Sequence, residues 1–547
     1  MKLESRGRRP AADGLFWAAV VGIVYAVGLI AYYIWFPSRG YFHSDCTDTL
    51  LWAQASYESG SLLNPDFHYA CLLPFGGQLL MLPFIGLTGV SLVTNMIGMT
   101  LFLLLFAGSL ILLGRAMEWQ AGWICALTVL PLLIVSSSDK LREIFWGHII
   151  YYSLGVFFLF LGLALVFFTL RALEGPAGVP EGGAAGRKGG WRLPLLLGGT
   201  GLWFLLCSLN GLQALTIFAL PAIAGVAGER LLDVKNRISA AVNRRAGLLL
   251  GTVTAATLLG FLLGQWLGRD IPAGYAAAYS GFESPDAWIT NLSRLLPHWM
   301  TLLGVSVEHG DPFMSADGIV NLLRLAFGLL LAVIPAVMLF FYRRFSRWVK
   351  ILLLAHWAMT ALILLAYVFG LLSAANWRLS PIVGTSAVLV VAFAQWIWQT
   401  AEYRRFSVLL LFPTVLFGLL SAAAIIRMPA DYNLDTGVNA VADYLVEQDL
   451  TYGYGTFWNA QCVTVLSDSK AKVRSVNITG SGVTPYSYQG QDAWYEPQEG
   501  QETYFLLLTK AEYQSMEAGG NPLLAQASGR LTFQDYEIVL LDFCPFA

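Results

Sequence analysis

Residues 1–60 read MKLESRGRRPAADGLFWAAVVGIVYAVGLIAYYIWFPSRGYFHSDCTDTLLWAQASYESG. A basic start, Met1 to Pro10, leads into an apolar run from Leu15 to Phe36 that closes on Tyr-Tyr-Ile-Trp-Phe. The apolar region of a cleaved signal peptide covers only about 7–15 residues and ends in small residues. The present run is long enough to cross about 30 Å of hydrocarbon, and its aromatic end suits a membrane–water interface. It reads as a retained first span with the N-terminus in the cytoplasm. Beyond it, the chain enters a polar loop with two carboxylates, Asp45 and Asp48.

The rest of the chain repeats the apolar theme. Charged residues make up 12% of it, against about 25% in a soluble globular protein, and mean hydropathy is +0.61. Apolar runs predict spans over 14–36, 86–114, 121–138, 149–170, 194–209, 212–228, 246–267, 319–342, 351–373, 381–400 and 407–425. The short runs 194–209 and 212–228 meet at Asn210-Gly211, as a tight hairpin or a partly re-entrant pair. After Arg427 the spans stop. Asp435 to Gln448 has helical spacing; Lys472 to Ile478, Thr503 to Leu508 and Tyr536 to Asp542 have strand composition. The expected fold class is an all-α polytopic membrane domain over 1–426, followed by a small α/β domain over 427–547. Net charge is −2, so membrane lipids rather than nucleic acid are the expected surroundings.

The distribution of Lys and Arg orients this map. Predicted cytoplasmic segments hold Lys2, Arg6, Arg8, Arg9, Arg115, Arg171, Arg187, Lys188, Arg192, Arg230, Lys235, Arg237, Arg244, Arg245, Arg343, Arg344, Arg347, Lys350, Arg404 and Arg405. Predicted outer loops (37–85, 139–148, 268–318 and 374–380) hold Arg39, Lys140, Arg142, Arg269, Arg294 and Arg378. The segment Gly175 to Gly190 reads as a flexible cytoplasmic loop. The odd number of spans places the C-terminal domain outside the cytoplasm. There, Cys46 with Cys71 and Cys462 with Cys544 fall in pairs where an oxidising compartment permits disulfides; bridges or four separate thiols both fit.

Ionisable groups near membrane depth are functional candidates, and here they gather in the outer loops. Asp45 and Asp48 lie three apart, and face one side if a helix begins near Asp45; one of them as a helix cap is the plainer alternative. The second outer loop packs Asp139, Lys140, Arg142, Glu143 and His148 into a short connection. A solvated loop and a structural histidine are the alternatives to a role in chemistry. Asp286 to Leu303 is amphipathic, with Trp288, Leu292, Leu295 and Trp299 on one face and Asn291, Arg294 and His298 on the other. It fits an interfacial helix, bordering a lipid access groove or merely spacing two spans. Arg378, in Asn376-Trp-Arg-Leu-Ser-Pro381, has the planar fork that binds phosphate oxygens; a headgroup anchor is the alternative. No metal, nucleotide or hydrolase motif occurs in a workable context.

At these residues the chain resembles the GT-C superfamily of membrane glycosyltransferases, especially the bacterial protein-mannosyltransferase and aminoarabinose-transferase-like group. Asp45, Trp52-Ala53, Ser59-Gly60 and Asn64-Pro65 match the group's first outer loop in order. Asp139 to His148 matches the second loop loosely, and Arg378, Leu379 and Pro381 match the start of a late span. The segment Tyr452 to Asn459, with Val463 to Leu466 and Lys472-Val473, is similar to the tails of bacterial members. The group's adjacent acidic pair is missing: Cys46-Thr47 separates Asp45 from Asp48. Asp45 is preferred as the counterpart for its distance to Ser59-Gly60, and the assignment between the two stays open.

The resemblance implies a bacterial cell-membrane enzyme that moves a sugar, with inversion, from a polyprenyl-phosphate carrier to a glycan, lipid or protein acceptor. Asp45, Asp48 and Glu143 are its expected catalytic residues; Arg378, His148, Asp139, Arg294 and His298 are expected to bind substrate. No cofactor is implied, and a divalent metal is left open. The competing readings are a lipid or glycan transporter or flippase, which needs charged mid-span residues or broken helices in matching halves, and a non-catalytic assembly protein. The charge pattern carries its own test. A reporter fused after Arg427 should read as extracytoplasmic and one at Gly186 as cytoplasmic; the reverse at either position rejects the topology.

Overall fold

A computed structural model describes residues 10–174, 191–232, 240–272, 281–371 and 374–547. The expected Gly175–Gly190 loop lies outside the described residues, as do Lys2, Arg6, Arg8, Arg9, Lys235, Arg237, residues 273–280 and residues 372–373. The membrane portion runs through α1 (Pro10–Trp35), α2 (Asp48–Ser59), α3 (Gln78–Thr88), α4 (Leu92–Ala116), α5 (Ala121–Ile134), α6 (Tyr151–Glu174) and α7 (Arg192–Ser208). It continues through α8 (Gly211–Leu232), α9 (Ala240–Leu267), α10 (Pro285–Leu302), α11 (Ala316–Phe340), α12 (Arg347–Phe369), α13 (Ser380–Gln399) and α14 (Ser407–Ile426). Among the described residues nine helices are long and apolar enough to cross a membrane. The two remaining expected spans correspond to the shorter α5 and α7. The protein is a multi-pass membrane protein.

Two connections differ from expectation. The span expected from residue 86 begins at Leu92, because Gly89, at φ +65°, ends α3, and the Ser91 hydroxyl then caps α4. The span expected over 121–138 stops at Ile134. Ser138 caps a short helix at Asp139–Arg142, and the 139–147 segment folds back at 113° to α5. Phe145 and Trp146 anchor that turn: both are buried, both pack on Phe106, and the Trp146 indole donates to Ser136 Oγ at 2.8 Å. The expected solvated loop is therefore half core.

The two expected faces of the amphipathic helix α10 both contribute to what it buries. Asn291 is buried with Trp299, donating to the Val368 carbonyl at 3.2 Å, while Trp299 donates to the Gly328 carbonyl at 2.9 Å. Ile289, Leu292 and Leu296 point outward. A lipid surface accepts the apolar side chains, so the polar ones go where backbone carbonyls need donors.

The C-terminal region holds α15 (Gly437–Glu447), α16 (Phe457–Leu466) and α17 (Lys510–Ala518) around one sheet. Its strands are β2 (Tyr452–Gly455), β3 (Lys472–Ile478), β4 (Val483–Pro485), β6 (Tyr504–Thr509), β7 (Gly529–Phe533) and β8 (Tyr536–Leu541), in the order β4-β3-β2-β6-β8-β7. The expected strands are β3, β6 and β8. Central β2 pairs in parallel with both β3 and β6, and α16 makes the crossover between β2 and β3.

A separate two-stranded ribbon ties this region to the membrane portion: β1 (Phe67–His68) pairs antiparallel with β5 (Gly490–Gln491). Ser44 Oγ donates to the Phe457 carbonyl at 2.5 Å and Ser469 Oγ to the Val90 carbonyl at 2.8 Å. All six cysteines are free. The Cys462–Cys544 bridge fails because the sheet lies between them: Cys462, on α16, packs in the core shared with the membrane portion, whereas Cys544 packs on the other side among Tyr454 and Tyr495. Cys46 and Cys71 are likewise buried in separate surroundings, Cys46 against Gly147 and Cys71 near Tyr151 and Tyr152.

Candidate active site

Loops 37–85 and 139–148 and the Arg378 turn meet at one end of the bundle, under the C-terminal region. Asp45 sits half-buried in a tight turn, Ser44–Thr47, and α2 begins only at Asp48. The residue at the α2 N-cap is Thr47, so neither carboxylate has the expected capping position. Asp48 is 8% exposed. Burial pushes its carboxyl well above the usual carboxylate range, the neighbouring Asp45 adds to the effect, and His43 and Gln489 oppose it.

From Asp48 the contacts close a ring. Cys71 lies within electrostatic reach of Asp48 on one side and of Tyr151 and Tyr152 on the other. Tyr151 donates to Tyr152 at 3.0 Å, and Arg378 Nη1 approaches the Tyr152 hydroxyl at 3.4 Å. Next to Arg378, the Trp377 ring lies under Lys140 Nζ at 5.2 Å, and Lys140 pairs with Glu143 at 2.5 Å. Glu143 faces His43 Nε2 at 3.6 Å and His148 Nε2 at 3.8 Å. His43, two residues before Asp45, acts electrostatically on Asp48 and completes the circuit.

The expected residues therefore divide. Asp45, Asp48, Glu143, His148 and Arg378 belong to the ring. Asp139 instead pairs with Arg142, which also holds the Ser136 carbonyl at 2.8 Å and lies over the Tyr33 ring; its visible work is to fix the 139–147 turn. His298 receives the Tyr367 hydroxyl at 2.7 Å, and Arg294 is exposed one helical turn away. Helix α10 reaches the Arg378 turn through Asn376, whose amide lies 3.4 Å from Thr301 Oγ1. Among the described residues no group of three His, Cys, Asp or Glu side chains is arranged to hold a metal ion.

Sequence reading missed His43, Tyr151, Tyr152, Trp377, Tyr488 and Gln489. His43 had a signal, since it shares a loop with both aspartates. Tyr488 and Gln489 had none: they lie far along the chain and arrive only because β5 pairs with β1. A cavity of about 110 Å³ adjoins the ring, lined by Tyr41, His43, Cys46, Asn95, Asp139 and Glu143 among others.

No protein-family model matches the chain, and neither does any curated protein. Solved structures do. ArnT from Cupriavidus metallidurans in the apo state aligns with a TM-score of 0.51 at 12% identity, over 97% of this chain and 99% of that one. The same protein bound to undecaprenyl phosphate gives 0.48 at 13% identity, over 95% and 97%. Archaeal oligosaccharyltransferase AglB from Archaeoglobus fulgidus, in complex with an inhibitory peptide and a dolichol-phosphate, gives 0.42 at 11% identity, over 94% and 73%. The likeness to apo ArnT shows the fold: the chain has the overall architecture of that structure.

The His43–Glu143 pair has a pH signature. Burial alone would raise the Glu143 carboxyl, but the facing His148 and His43 rings, with the charges of His148 and Lys140, hold it well below its usual 4.5. The Cys46 sulfur foremost, against burial, and then Glu143 raise His43 from 6.5 to about 11. A raised histidine stabilises fully below pH 6.5 and progressively less toward pH 11; a depressed glutamate stabilises above pH 4.5 and is lost below it. The melting-temperature loss caused by Glu143→Gln should thus be largest between pH 4.5 and 6.5 and shrink on either side. A loss that does not vary with pH would reject the pair.

Proposed function

We propose that the protein is an inverting glycosyltransferase. It moves a sugar from a polyprenyl-phosphate carrier to a hydroxyl of a glycan, lipid or protein acceptor on the extracytoplasmic face. The observation that carries this reading is the ring: on a GT-C scaffold, three carboxyl groups and an arginine–tyrosine pair meet at one bundle end. The division into a membrane domain over 1–426 and an outer domain over 427–547, and the cytoplasmic N-terminus in a bacterial cell membrane, belong to the same proposal.

The chemistry is a single displacement. The acceptor oxygen bonds to the anomeric carbon as the carbon–oxygen bond to the carrier phosphate breaks, so configuration inverts. Asp45, the less buried carboxylate, takes the acceptor proton; this requires hydrogen-bond reach of that hydroxyl. Asp48 supports it from beneath, and Glu143 holds His43 and Lys140 in place. Arg378 takes the leaving phosphate, whose growing charge a fixed cation stabilises. His148 orients Glu143, Asp139 braces the turn, and Arg294 and His298 on α10 line the approach for the lipid-borne donor.

Asp45→Asn keeps shape and hydrogen-bonding capacity but removes proton affinity. It should lower transfer in membranes by at least roughly 10²–10⁴-fold, the usual worth of general-base catalysis, while the protein still inserts and binds carrier. Asp48→Asn should do less; the opposite ranking would exchange their roles. If both variants transfer normally, the glycosyltransferase reading falls unless Glu143 or Asp139 proves essential.

Arg378→Lys keeps the charge but loses the two-pronged fork. Transfer should fall at least about tenfold, with a raised KM for the lipid donor and an unchanged KM for the acceptor. A fully active variant would make Arg378 a headgroup anchor.

A further inference from the structure

Gln489 is completely buried and sits in left-handed backbone, at φ +60°, a conformation uncommon outside glycine. It is held from every side. Its N–H donates to the His68 carbonyl at 2.9 Å, and its own carbonyl accepts Gln461 Nε2 at 3.0 Å. Its side-chain Oε1 accepts both the Trp52 indole at 2.7 Å and the Ala70 N–H at 3.3 Å. Two donors on one oxygen settle which way the carboxamide lies, since a flip would set Nε2 against both of them.

Trp52, which holds the oxygen, lies one turn after Asp48 on α2, so the remaining nitrogen is brought to the Asp48 side of that helix, where it acts on the Asp48 carboxyl. Gln489 Nε2 and Asp48 Oδ1 are both buried, and neither has a competing partner. The contact between them is not closed in this geometry. A buried N–H left open is costly, and here it is kept open by a residue whose backbone is itself strained. Such a donor is set up to close on its carboxyl in another charge state. Asp45 and His43 from the same loop, Cys71 and Tyr488 are the other titratable groups acting electrostatically around Asp48.

We infer that Gln489 is a positioning residue for Asp48: the C-terminal region, through the β1–β5 ribbon, delivers an oriented amide N–H that aligns the Asp48 carboxyl and closes on it when it is charged. The site is then composite, complete only with the C-terminal region docked. The inference rests on the reading of Asp48 as part of the active site, but its test does not.

The full-length protein in membranes is treated with a hydrophobic carbodiimide, which reacts with protonated carboxyl groups away from water. Labelling of Asp48 is read by peptide mass spectrometry across pH. In Gln489→Leu the ionised carboxyl loses its donor, so the protonated form persists. The half-labelling pH should rise by about one unit, tenfold in the ionisation constant. Gln461→Leu loosens the same loop through its backbone without touching the donor and should leave that midpoint in place. An unchanged midpoint in Gln489→Leu, or equal shifts in both variants, overturns the assignment. Should Gln489→Leu fail to reach the membrane, Gln489→Met keeps the length of the side chain while removing the donor and adding no charge, and the same rise is required of it. Because labelling needs no sugar donor, its result stands whether or not transfer is found; where transfer is found, the acid limb of its pH profile should move with the labelling midpoint.

Discussion

An unsatisfied backbone group in hydrocarbon costs several kcal/mol, and charged side chains are excluded from it almost as firmly. This constraint arranges the whole molecule. Helices take the membrane crossing, and polar chemistry is driven to the two ends of the bundle. At one end the exclusion produces paired basic residues: Arg171 with Glu118, and Glu229 held between Arg230 and Arg347 at 3.4 Å each. At the other it concentrates the loops that carry Asp45, Glu143 and Arg378. A site made only of short loops over lipid would be loose; the C-terminal region supplies the missing rigidity.

That rigidity comes from close approach rather than from crosslinks. Gly40 passes so near Tyr432 that a Cβ there would sit 1.8 Å from its carbonyl oxygen, and Tyr41 stacks on the Tyr432 ring at 4.7 Å. The exit of α14 is thus clamped to the loop that presents Asp45. Trp52, fully buried on α2, reaches across to Gln489. Removing the thiols from consideration as bridges therefore costs the fold little: the loop is held at Gly40, Ser44, Trp52 and Phe67 by contacts with the C-terminal region.

How far the sequence could be read follows from the range of each signal. Apolar length is local, and it located the spans; strand composition is local, and it located β3, β6 and β8. Central β2, Tyr452–Gly455, is short and half glycine, so it carries no strand signature, although parallel pairing on both sides makes it the middle of the sheet. The fold of the 139–147 turn was not legible from its charges, since Phe145 and Trp146 decide its burial. The two expected faces of α10 are not kept apart, since Trp299 from the apolar face and Asn291 from the polar one are buried together, each on a backbone carbonyl that composition cannot foresee. Of the ring, the acidic members, His148, Lys140 and Arg378 were legible as outer-loop charges, whereas His43 was passed over beside its two aspartates. The aromatic and amide members were not, since what distinguishes them is a partner hundreds of residues away.

The ring also makes its charges interdependent. His43 stands between two acidic groups, with Nε2 toward Glu143 and its charge acting on Asp48. Ionisation on the Glu143 side therefore sets the field in which Asp48 titrates. On the proposed chemistry, a phosphate arriving at Arg378 adds negative charge to a ring that already holds three carboxyl groups against His43, Lys140 and Arg378. Burial favours the neutral form of Asp48, which limits the negative charge that the ring presents to the donor and leaves proton transfer from the acceptor to Asp45. Burial of one carboxyl beside another is thus what separates their roles, as like charges at short range cannot both ionise without cost. Two aspartates spaced by Cys46-Thr47, rather than adjacent, allow this division: one sits half-buried in a tight turn, and the other begins a buried helix.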